Sequence, residues 1–433
     1  MALQYLFVDF NSYFASVEQE KRPELRGRPV GVVPVLAETT CCIAASYEAK
    51  KYGVKTGTRV SDARSLCPSI EIVESRPRVY VECHNQLVKA VESCLHVDEV
   101  LSIDEMVCEL PANYRYHDKA IIMAERIKST IAREVGEHLR SSIGIAPNPY
   151  LAKIASNLKK PDGLTCIDRP DLPSALIPLK LENIHGIGKR MVQRLRAHGI
   201  CTVEELYAAS RKELRLVWGG IEGERMYYNL RGDFVPRSPT KKTTIGHSHV
   251  LPPQERHEKQ AFAVMNRLTQ KAANRLRSNG YLAGGMQISI KFTGGRKWSE
   301  TIQFFETQDT LEFMQLLHEL WNRCPVFTTN HFSLRPIAVG VNFYHLVEEN
   351  NHTPSLFTQN PKSENRSKLN TLVDQVNKKF GNNTIYFGGA HEALQSAPMR
   401  IAFNHIPDLI TEDDGHHFKN EKSFQTARSA KHS

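Results

Sequence analysis

The sequence predicts an α+β fold in which two sheet-and-helix units flank a helical segment. Two stretches of chain show the same order of apolar patterns, β-α-β-β-α-β, which is the order of a ferredoxin-like sheet backed by helices. Between them, residues 181–199 contain two helical patterns joined by a hairpin with two glycines. These assignments rest on the hydrophobic period, which is about 3.6 for an amphipathic helix and 2 for a half-buried strand.

The first unit opens with a short apolar run at residues 3–9 that ends in an aspartate, as expected of a buried strand. Two β-rich runs at 97–103 and 106–110 predict a hairpin with Asp104 and Glu105 at its bend. The other elements predicted here are helices at 11–20, 46–51, 117–139 and 150–158, and strands at 29–35, 41–45 and 141–145.

The rest of the chain is divided by Pro-containing segments. Residues 170–178 predict a linker, and the Pro-rich, basic residues 235–242 predict a tether to the second unit. After residue 411 the polar composition predicts disorder. The elements predicted in this half are strands at 286–292, 300–305 and 337–343, and helices at 262–276, 310–322 and 369–380, the last ended by Gly381.

The composition is that of a globular protein with a polyanionic partner. The 433 residues carry 56 Lys and Arg against 47 Asp and Glu, a net charge of +9, and 41% are apolar, which excludes a disordered or low-complexity chain. Residues 177–242 hold 13 basic against 7 acidic residues, and residues 261–300 hold 7 against 1. Such basic regions favour nucleic acid as the partner, although solvated surface charge would give the same count.

The sequence also indicates a compartment. No run approaches the roughly 18 apolar residues of a membrane span, and the N-terminus lacks the basic start of a signal peptide. The nine cysteines show no CxxC pair and no regular spacing, which indicates reduced thiols rather than disulfides or zinc ligands. We therefore expect a cytoplasmic protein without a membrane partner.

Three carboxylates are the first candidate site. Asp9 ends a buried strand, and Asp104 and Glu105 lie at the hairpin bend. Buried carboxylates are costly unless they are paired or bind a cation, and an oxygen-rich group suits Mg²⁺. Two such ions about 4 Å apart can activate a hydroxyl and stabilise a leaving pyrophosphate. Alternatively, Asp9 caps the following helix and the other two form a solvated turn.

Two further sets of residues are candidate phosphate-binding sites. Tyr47 and Lys50 are three residues apart on one short helix and share a face, and Lys160 precedes a Pro-Asp-Gly turn, so together they could hold phosphate oxygens. The Gly186-x-Gly188 hairpin could let backbone amides approach a phosphate without reading base sequence. Each of these features also has an ordinary structural explanation, as a surface side chain or a helix connection.

The motifs that surround these residues resemble those of one enzyme family, the Y-family translesion DNA polymerases, and most closely its bacterial polymerase IV and polymerase V types. The resemblance extends over about residues 4–345. The matching segments are VDFNSYFASVE at 8–18, ASYEAK at 45–50, GVKTG at 53–57, SIDE at 102–105, SIGIA at 142–146, LAKIAS at 151–156 and KPDG at 160–163.

The resemblance implies a right-hand polymerase: a ferredoxin-like palm, small fingers, a helix-hairpin-helix thumb and a β-α-β-β-α-β little finger. It implies a monomeric catalytic unit that adds dNTPs to the 3′-hydroxyl of a primer on a DNA template. The implied boundaries are palm 1–20 and 77–168, fingers 21–76, thumb 169–234, linker 235–246, little finger 247–347, C-terminal extension 348–410 and tail 411–433.

The resemblance also implies roles for single residues around two Mg²⁺ ions, for which Mn²⁺ could substitute. Asp9, Asp104, Glu105 and the backbone carbonyl of Phe10 would bind the ions. The other implied roles are a steric gate against ribonucleotides at Phe14, triphosphate contacts at Tyr47, Lys50 and Lys160, a position over the nascent base pair at Cys41, and duplex phosphate contacts at Gly186, Gly188, Lys189 and Arg190.

Three positions depart from the pattern of the family. Lys50 stands where most relatives carry Arg, which keeps the charge but loses the bidentate fork. Ala44 stands where Thr is frequent, and Asn11 replaces an Asp of the polymerase IV type. Neither the Lys50 nor the Ala44 change removes a metal ligand, and Asn11 resembles the polymerase V type. The short fingers would form a small cover over the base pair, so we expect low fidelity and tolerance of damaged templates.

The polar C-terminal region contains one further motif. Residues 353–357, TPSLF, resemble a sliding-clamp-binding peptide without its usual leading Gln, and Leu356 and Phe357 are the candidate contacts. The same pair could dock on its own domain instead.

Two other functions remain open at this stage. A carboxylate site with a helix-hairpin-helix also suits a metal-dependent, structure-specific nuclease, although that does not explain Phe14, Tyr47 and Lys160 together. A non-catalytic DNA-binding scaffold is the other alternative, and the intact carboxylates argue against it.

Overall fold

The computed structural model describes residues 3–38, 40–236, 241–328, 334–353, 361–401 and 406–409. The chain forms two compact units, one of Met1–Ser238 with Ile401–Ile406 and one of Pro239–Arg400 with Pro407–Ser433. Within the described ranges, no helix combines the length and apolar character that crossing a bilayer requires. The nine cysteines, all inside these ranges, are free thiols.

The first unit is built on a five-stranded sheet, a three-stranded sheet and a group of helices. Its strands are β1 Tyr5–Phe10, β2 Val30–Val33, β3 Ala44–Ala45, β4 Glu71–Glu74, β5 Glu99–Ser102, β6 Glu105–Glu109, β7 Ser141–Ala146 and β8 Leu164–Cys166. Its helices are α1 Tyr13–Lys21, α2 Tyr47–Lys51, α3 Val60–Leu66, α4 Pro77–Glu92, α5 His117–Glu134, α6 Pro149–Leu158, α7 Lys189–Ala197, α8 Val203–Ala208, α9 Arg211–Trp218 and α10 Ile221–Leu230.

The five-stranded sheet corresponds to the predicted palm. The order of its strands is β5-β6-β1-β7-β8, so β1 is central. Nearly all residues of β1 are buried. Strand β1 pairs antiparallel with both β6 and β7, which places Asp9 opposite Glu105 on one side and opposite Ser142 on the other. The predicted strand at 3–9, the hairpin with the acidic bend and the strand at 141–145 are confirmed.

The three-stranded sheet has the order β3-β2-β4 and its own small core. The strands predicted at 29–35 and 41–45 are present but shorter than expected. Helix α4 and strand β8 were not predicted, although the buried Tyr80, Leu87 and Val91 of α4 follow a helical spacing. The polar residues between them weaken that pattern in the sequence.

Two glycine hairpins connect elements in the region of helices α7–α10, whereas the sequence predicted one. The first, with Gly186, leads into α7, and the second, with Gly219 and Gly220, joins α9 to α10. Side-chain caps at Thr202 and Ser210 begin α8 and α9, since each hydroxyl accepts from a backbone amide of the first turn.

The second unit confirms the predicted β-α-β-β-α-β order. Its antiparallel sheet has the order β11-β10-β12-β9 and packs against α11 and α12. The predicted helix end at Gly381 is also confirmed, with the glycine at φ +102. The elements are β9 Thr244–Val250, α11 Glu258–Ser278, β10 Tyr281–Phe292, β11 Lys297–Thr307, α12 Thr310–Asn322, α13 Pro325–Thr328, β12 Pro336–Glu348 and α14 Pro361–Phe380.

The C-terminal extension packs on the helices of the second unit through polar contacts. Asp374 of α14 accepts from both Arg277, at 2.6 and 2.9 Å, and Asn274, at 3.1 Å. Further along, the Gln270 side chain bonds both backbone groups of Phe387. The disorder predicted after residue 411 concerns residues that lie outside the described ranges.

Helix α6 lies very close to β7, and the contact requires a glycine. A Cβ on Gly144 would lie 1.9 Å from the Ala152 carbonyl oxygen and 2.4 Å from the Ser156 nitrogen. Because both atoms are backbone, α6 itself would have to move. We expect Gly144→Ala to lower the free energy of unfolding by about 1–3 kcal/mol, measured by urea denaturation.

The matched control for this prediction is Gly388→Ala, because a Cβ there meets nothing within 4 Å. It should leave the urea midpoint nearly unchanged. Equal effects of the two substitutions would contradict the close approach at Gly144.

Candidate functional site

The antiparallel pairing of β1 with β6 brings the acidic residues together at one end of the central sheet. Asp9 is only 6% exposed and faces Glu105 across the ladder. Asp104 lies in the turn before β6, and its carbonyl accepts from the Phe10 amide at 2.9 Å. The predicted carboxylates and the Phe10 backbone are therefore neighbours.

These carboxylates interact electrostatically. Burial raises the pKa of Asp9 to about 6, Lys160 opposes that rise, and the charges of Asp104 and Glu105 add to it. Burial also raises the pKa of Asp104, while a hydrogen bond from the Ser102 hydroxyl, at 2.6 Å, acts in the opposite direction. Mutual repulsion in a poorly solvated position favours a cation beside the group.

Two lysines supply positive charge at this position. The Lys160 ammonium is 2.5 Å from Asp9 Oδ2, and the Lys153 ammonium donates to Glu105 Oε2 at 2.7 Å. With side chains as they stand, the described residues include no group of three or more His, Cys, Asp or Glu that could hold a metal. The donor chemistry nevertheless fits a hard divalent cation, because these are carboxylate oxygens that already repel one another.

The predicted triphosphate contacts lie beside the carboxylates. The Lys50 ammonium donates to Ser12 Oγ at 2.7 Å and lies 4.3 Å from the centre of the Tyr47 ring. Desolvation and the charge of Lys160 lower the pKa of Lys50, so the two ammonium groups are close enough to repel. Burial, with a contribution from Asp9, raises the pKa of Tyr47 to about 12. The mutual repulsion of the Lys50 and Lys160 ammonium groups favours binding of an anion between them.

Residues that the sequence interpretation did not place in the site hold it together. The buried Asn11 accepts from the Asp162 backbone amide at 2.7 Å and exchanges hydrogen bonds with Ser142. Lys128 also bonds Asp162, through its carboxylate and its carbonyl. These contacts fix the turn that carries Lys160. The available signals were the position of Asn11 directly after a buried strand and the positions of Ser142 and Lys153 inside the family-like segments 142–146 and 151–156.

Phe14 and Cys41 lie in different surroundings. The Phe14 ring is partly exposed on α1 and stacks on Tyr80, with centroids 4.6 Å apart and planes at 22°. Cys41 lies three residues before β3 and pairs with Arg59 through an isolated β-bridge. Its position over a base pair stays a prediction.

The first glycine hairpin forms a separate basic site. Gly186 has φ +82, a conformation that favours glycine, and Gly188 is the N-cap of α7. A Cβ on either would meet nothing within 4 Å, so both face open space. Lys189 and Arg190 follow in the first turn and are exposed. Cations at a helix N-terminus oppose the helix dipole, so this arrangement favours a bound anion.

The predicted clamp contact, Leu356 and Phe357, lies outside the described residues and stays a prediction.

Comparison with known proteins gives three family matches. The impB/mucB/samB family matches residues 8–157, and the C-terminal domain of that family matches residues 242–356. A SAM-like helix-hairpin-helix tandem matches residues 179–221, in agreement with the two hairpins of the helical region.

Curated relatives and solved structures agree with these matches. DNA polymerase IV of Moorella thermoacetica is 33% identical, over 88% of this chain and 94% of the relative. DNA polymerase IV 1 of Bacillus subtilis is 29% identical, over 92% of this chain and 95% of the relative. A Y-family DNA polymerase chimera of Dbh and Dpo4 has the same fold, with a TM-score of 0.67, 23% identity and coverage of 80% of this chain and 100% of the chimera.

Proposed function

Because this chain belongs to the Y family of DNA polymerases, we propose that its acidic and basic clusters carry out nucleotidyl transfer from a dNTP to a primer 3′-hydroxyl. The chain is a DNA-directed DNA polymerase of the translesion type. The observation that carries the proposed chemistry is the convergence of Asp9, Asp104 and Glu105 beside Lys160, Lys50 and Tyr47.

We propose that Asp9, Asp104, Glu105 and the Phe10 carbonyl hold two Mg²⁺ ions, with Mn²⁺ as a substitute. Bound there, such ions would lower the pKa of the primer hydroxyl and neutralise charge on the phosphates. The support lies in the donor set, since the buried Asp9 and the partly buried Asp104 and Glu105 repel one another, and lysines balance Asp9 and Glu105.

Lys160, Lys50 and Tyr47 would contact the triphosphate of the incoming nucleotide. In the chain alone the Lys160 ammonium pairs with Asp9 at 2.5 Å, and Lys50 is held by Ser12. A triphosphate offers both ammonium groups stronger partners than one carboxylate and one hydroxyl. We therefore propose that Lys160 exchanges Asp9 for the phosphates when the nucleotide binds.

The identity of the sugar would be read by Phe14. Its partly exposed ring lies on α1, the helix that begins three residues after Phe10, and it would fill the space that a ribose 2′-hydroxyl needs. Deoxynucleotides would then be accepted and ribonucleotides excluded on steric grounds.

The primer-template duplex would be held by the hairpin of Gly186 and Gly188 with Lys189 and Arg190. Exposed backbone amides and two cations at one helix N-terminus suit a phosphate and carry no base information. This proposed DNA-binding site is separate from the carboxylates. Substitutions in the hairpin should therefore change DNA affinity, and substitutions of the carboxylates should change the rate of nucleotide addition.

One prediction of the proposed function concerns the chemistry. We expect Asp104→Ala to reduce extension of a labelled primer-template, with Mg²⁺ and dNTPs, by at least about a hundredfold, because a ligand that stabilises developing charge is lost. Binding of the same DNA should change little, because Asp104 does not lie in the helix-hairpin-helix region.

The matched control is Asp118→Ala, which removes a carboxylate that is 97% exposed on α5. It should extend primers at the wild-type rate. The same assay separates the alternatives, since shortening of the primer would indicate a nuclease, and a shift without reaction a scaffold.

Another prediction concerns DNA binding at the Gly186 hairpin. We expect Lys189→Ala and Arg190→Ala each to weaken binding to duplexes of any sequence and to reduce the slope of log affinity against log salt by about 0.9. Fluorescence anisotropy at several salt concentrations measures both quantities. Lys119→Ala, an exposed lysine on α5, is the control. A salt slope that stays the same in both hairpin variants would refute the assignment.

A further inference from the structure

Phe14, the proposed sugar gate, is in contact with two other aromatic rings. Tyr80 of α4 stacks on it at 4.6 Å and is itself fully buried. Tyr13, the neighbour of Phe14 on α1, also contacts the Phe14 ring, with centroids 5.7 Å apart. A residue that excludes ribonucleotides sterically needs such packing, because an unsupported ring could rotate away and leave room for the 2′-hydroxyl.

Hydrogen bonds hold Tyr80 at its side-chain hydroxyl and at its backbone carbonyl. Its hydroxyl donates to Glu18 Oε1 at 2.7 Å, and its backbone carbonyl accepts from the Tyr13 hydroxyl at 2.6 Å. Burial and the nearby charge of Glu18 raise the pKa of Tyr80, so its hydroxyl keeps the proton that it donates. The Tyr80 ring therefore has little freedom to move away from Phe14.

Glu18 is the centre of this arrangement. It lies four residues after Phe14 on α1, its side chain is 0% exposed, and it accepts from Arg76 at 3.0 and 2.8 Å. Arg22 adds a third cationic contact at 3.4 Å. A bidentate arginine contact fixes a carboxylate in direction as well as in position.

The arrangement links both helices of the gate. Glu18 and Phe14 belong to α1, whereas Tyr80 belongs to α4 and Arg76 is the residue that precedes it. A change in the Glu18 contacts would therefore alter the position of the Tyr80 ring relative to the Phe14 ring. An apolar contact in the same place could hold the helices together but would not fix the Tyr80 hydroxyl.

We propose that Glu18, acting through the hydroxyl of Tyr80, is a positioning residue that holds the Phe14 ring in place and so sets the discrimination against ribonucleotides. The proposal rests on the proposed role of Phe14 as the gate. Neither Glu18 nor Tyr80 needs to touch the substrate, since both act on the ring that does.

The test is single-nucleotide insertion with dNTPs and rNTPs on one primer-template, expressed as the ratio of their kcat/KM values. Tyr80→Phe keeps the stacked ring and removes only the hydroxyl, and Glu18→Gln keeps the shape and removes the charge. We expect each to raise the ribonucleotide-to-deoxyribonucleotide ratio about fivefold, because Tyr80→Phe loses the buried hydrogen bond to Glu18, whereas Glu18→Gln loses one of the two bonds from Arg76. Phe14→Ala should raise it much further.

The control is Glu82→Gln on the same helix, because Glu82 forms an exposed pair with Arg78 at 2.8 Å. It should leave the ratio at the wild-type value. Thermal unfolding of every variant is measured in parallel, since a purely structural role of Glu18 would lower Tm without moving the ratio.

The outcomes separate the two claims. If Phe14→Ala raises the ratio while Tyr80→Phe and Glu18→Gln both leave it unchanged, the positioning role is overturned and the gate stands. If Phe14→Ala itself leaves the ratio unchanged, Phe14 is not the gate and the positioning role fails with it.

Discussion

Three carboxylates must share one end of a buried sheet, and the surrounding structure is arranged to make that possible. The register of β1 against β6 puts Asp9 opposite Glu105, with Asp104 in the adjoining turn. Two lysines supply positive charge. Lys153 of α6 pairs with Glu105, and Lys160 of the turn after α6 pairs with Asp9. Those lysines reach the carboxylates because α6 lies close to β7, an approach that the missing side chain of Gly144 allows.

This arrangement explains why the site contains both signs of charge. The lysines pair with the carboxylates in the chain alone, and we propose that Lys160 moves to phosphate when a nucleotide brings its own negative charge. Asn11 and Lys128 hold the turn on which Lys160 lies, so the proposed exchange would need only a side-chain movement. The proposed DNA-binding hairpin at Gly186 lies on different helices and would use backbone amides with exposed cations.

Much of the fold and part of the site could be predicted from the sequence. Strand ends and short spacings indicate Asp9, Asp104, Glu105 and the pair Tyr47 and Lys50, because each signal is contained in a few residues. The supporting contacts could not be predicted in this way, since Asn11 and Asp162 are 151 positions apart and meet only through the sheet.

The contact of Glu18 with Tyr80, 62 positions away, is equally invisible in the sequence, because α4 itself was not predicted. The second glycine hairpin was missed for a different reason. Its adjacent glycines, Gly219 and Gly220, lack the spaced pattern that marked the first.

We propose above that the carboxylates exchange lysine for metal while Lys160 moves to phosphate. A crystal structure of the chain with primer-template, a non-hydrolysable dNTP and Mn²⁺, with anomalous scattering to locate the metal, tests it directly. We expect manganese bound by Asp9, Asp104 and Glu105, with the Lys160 ammonium on the triphosphate. Manganese bound elsewhere, or a Lys160 that stays paired with Asp9 beside a bound nucleotide, would contradict it.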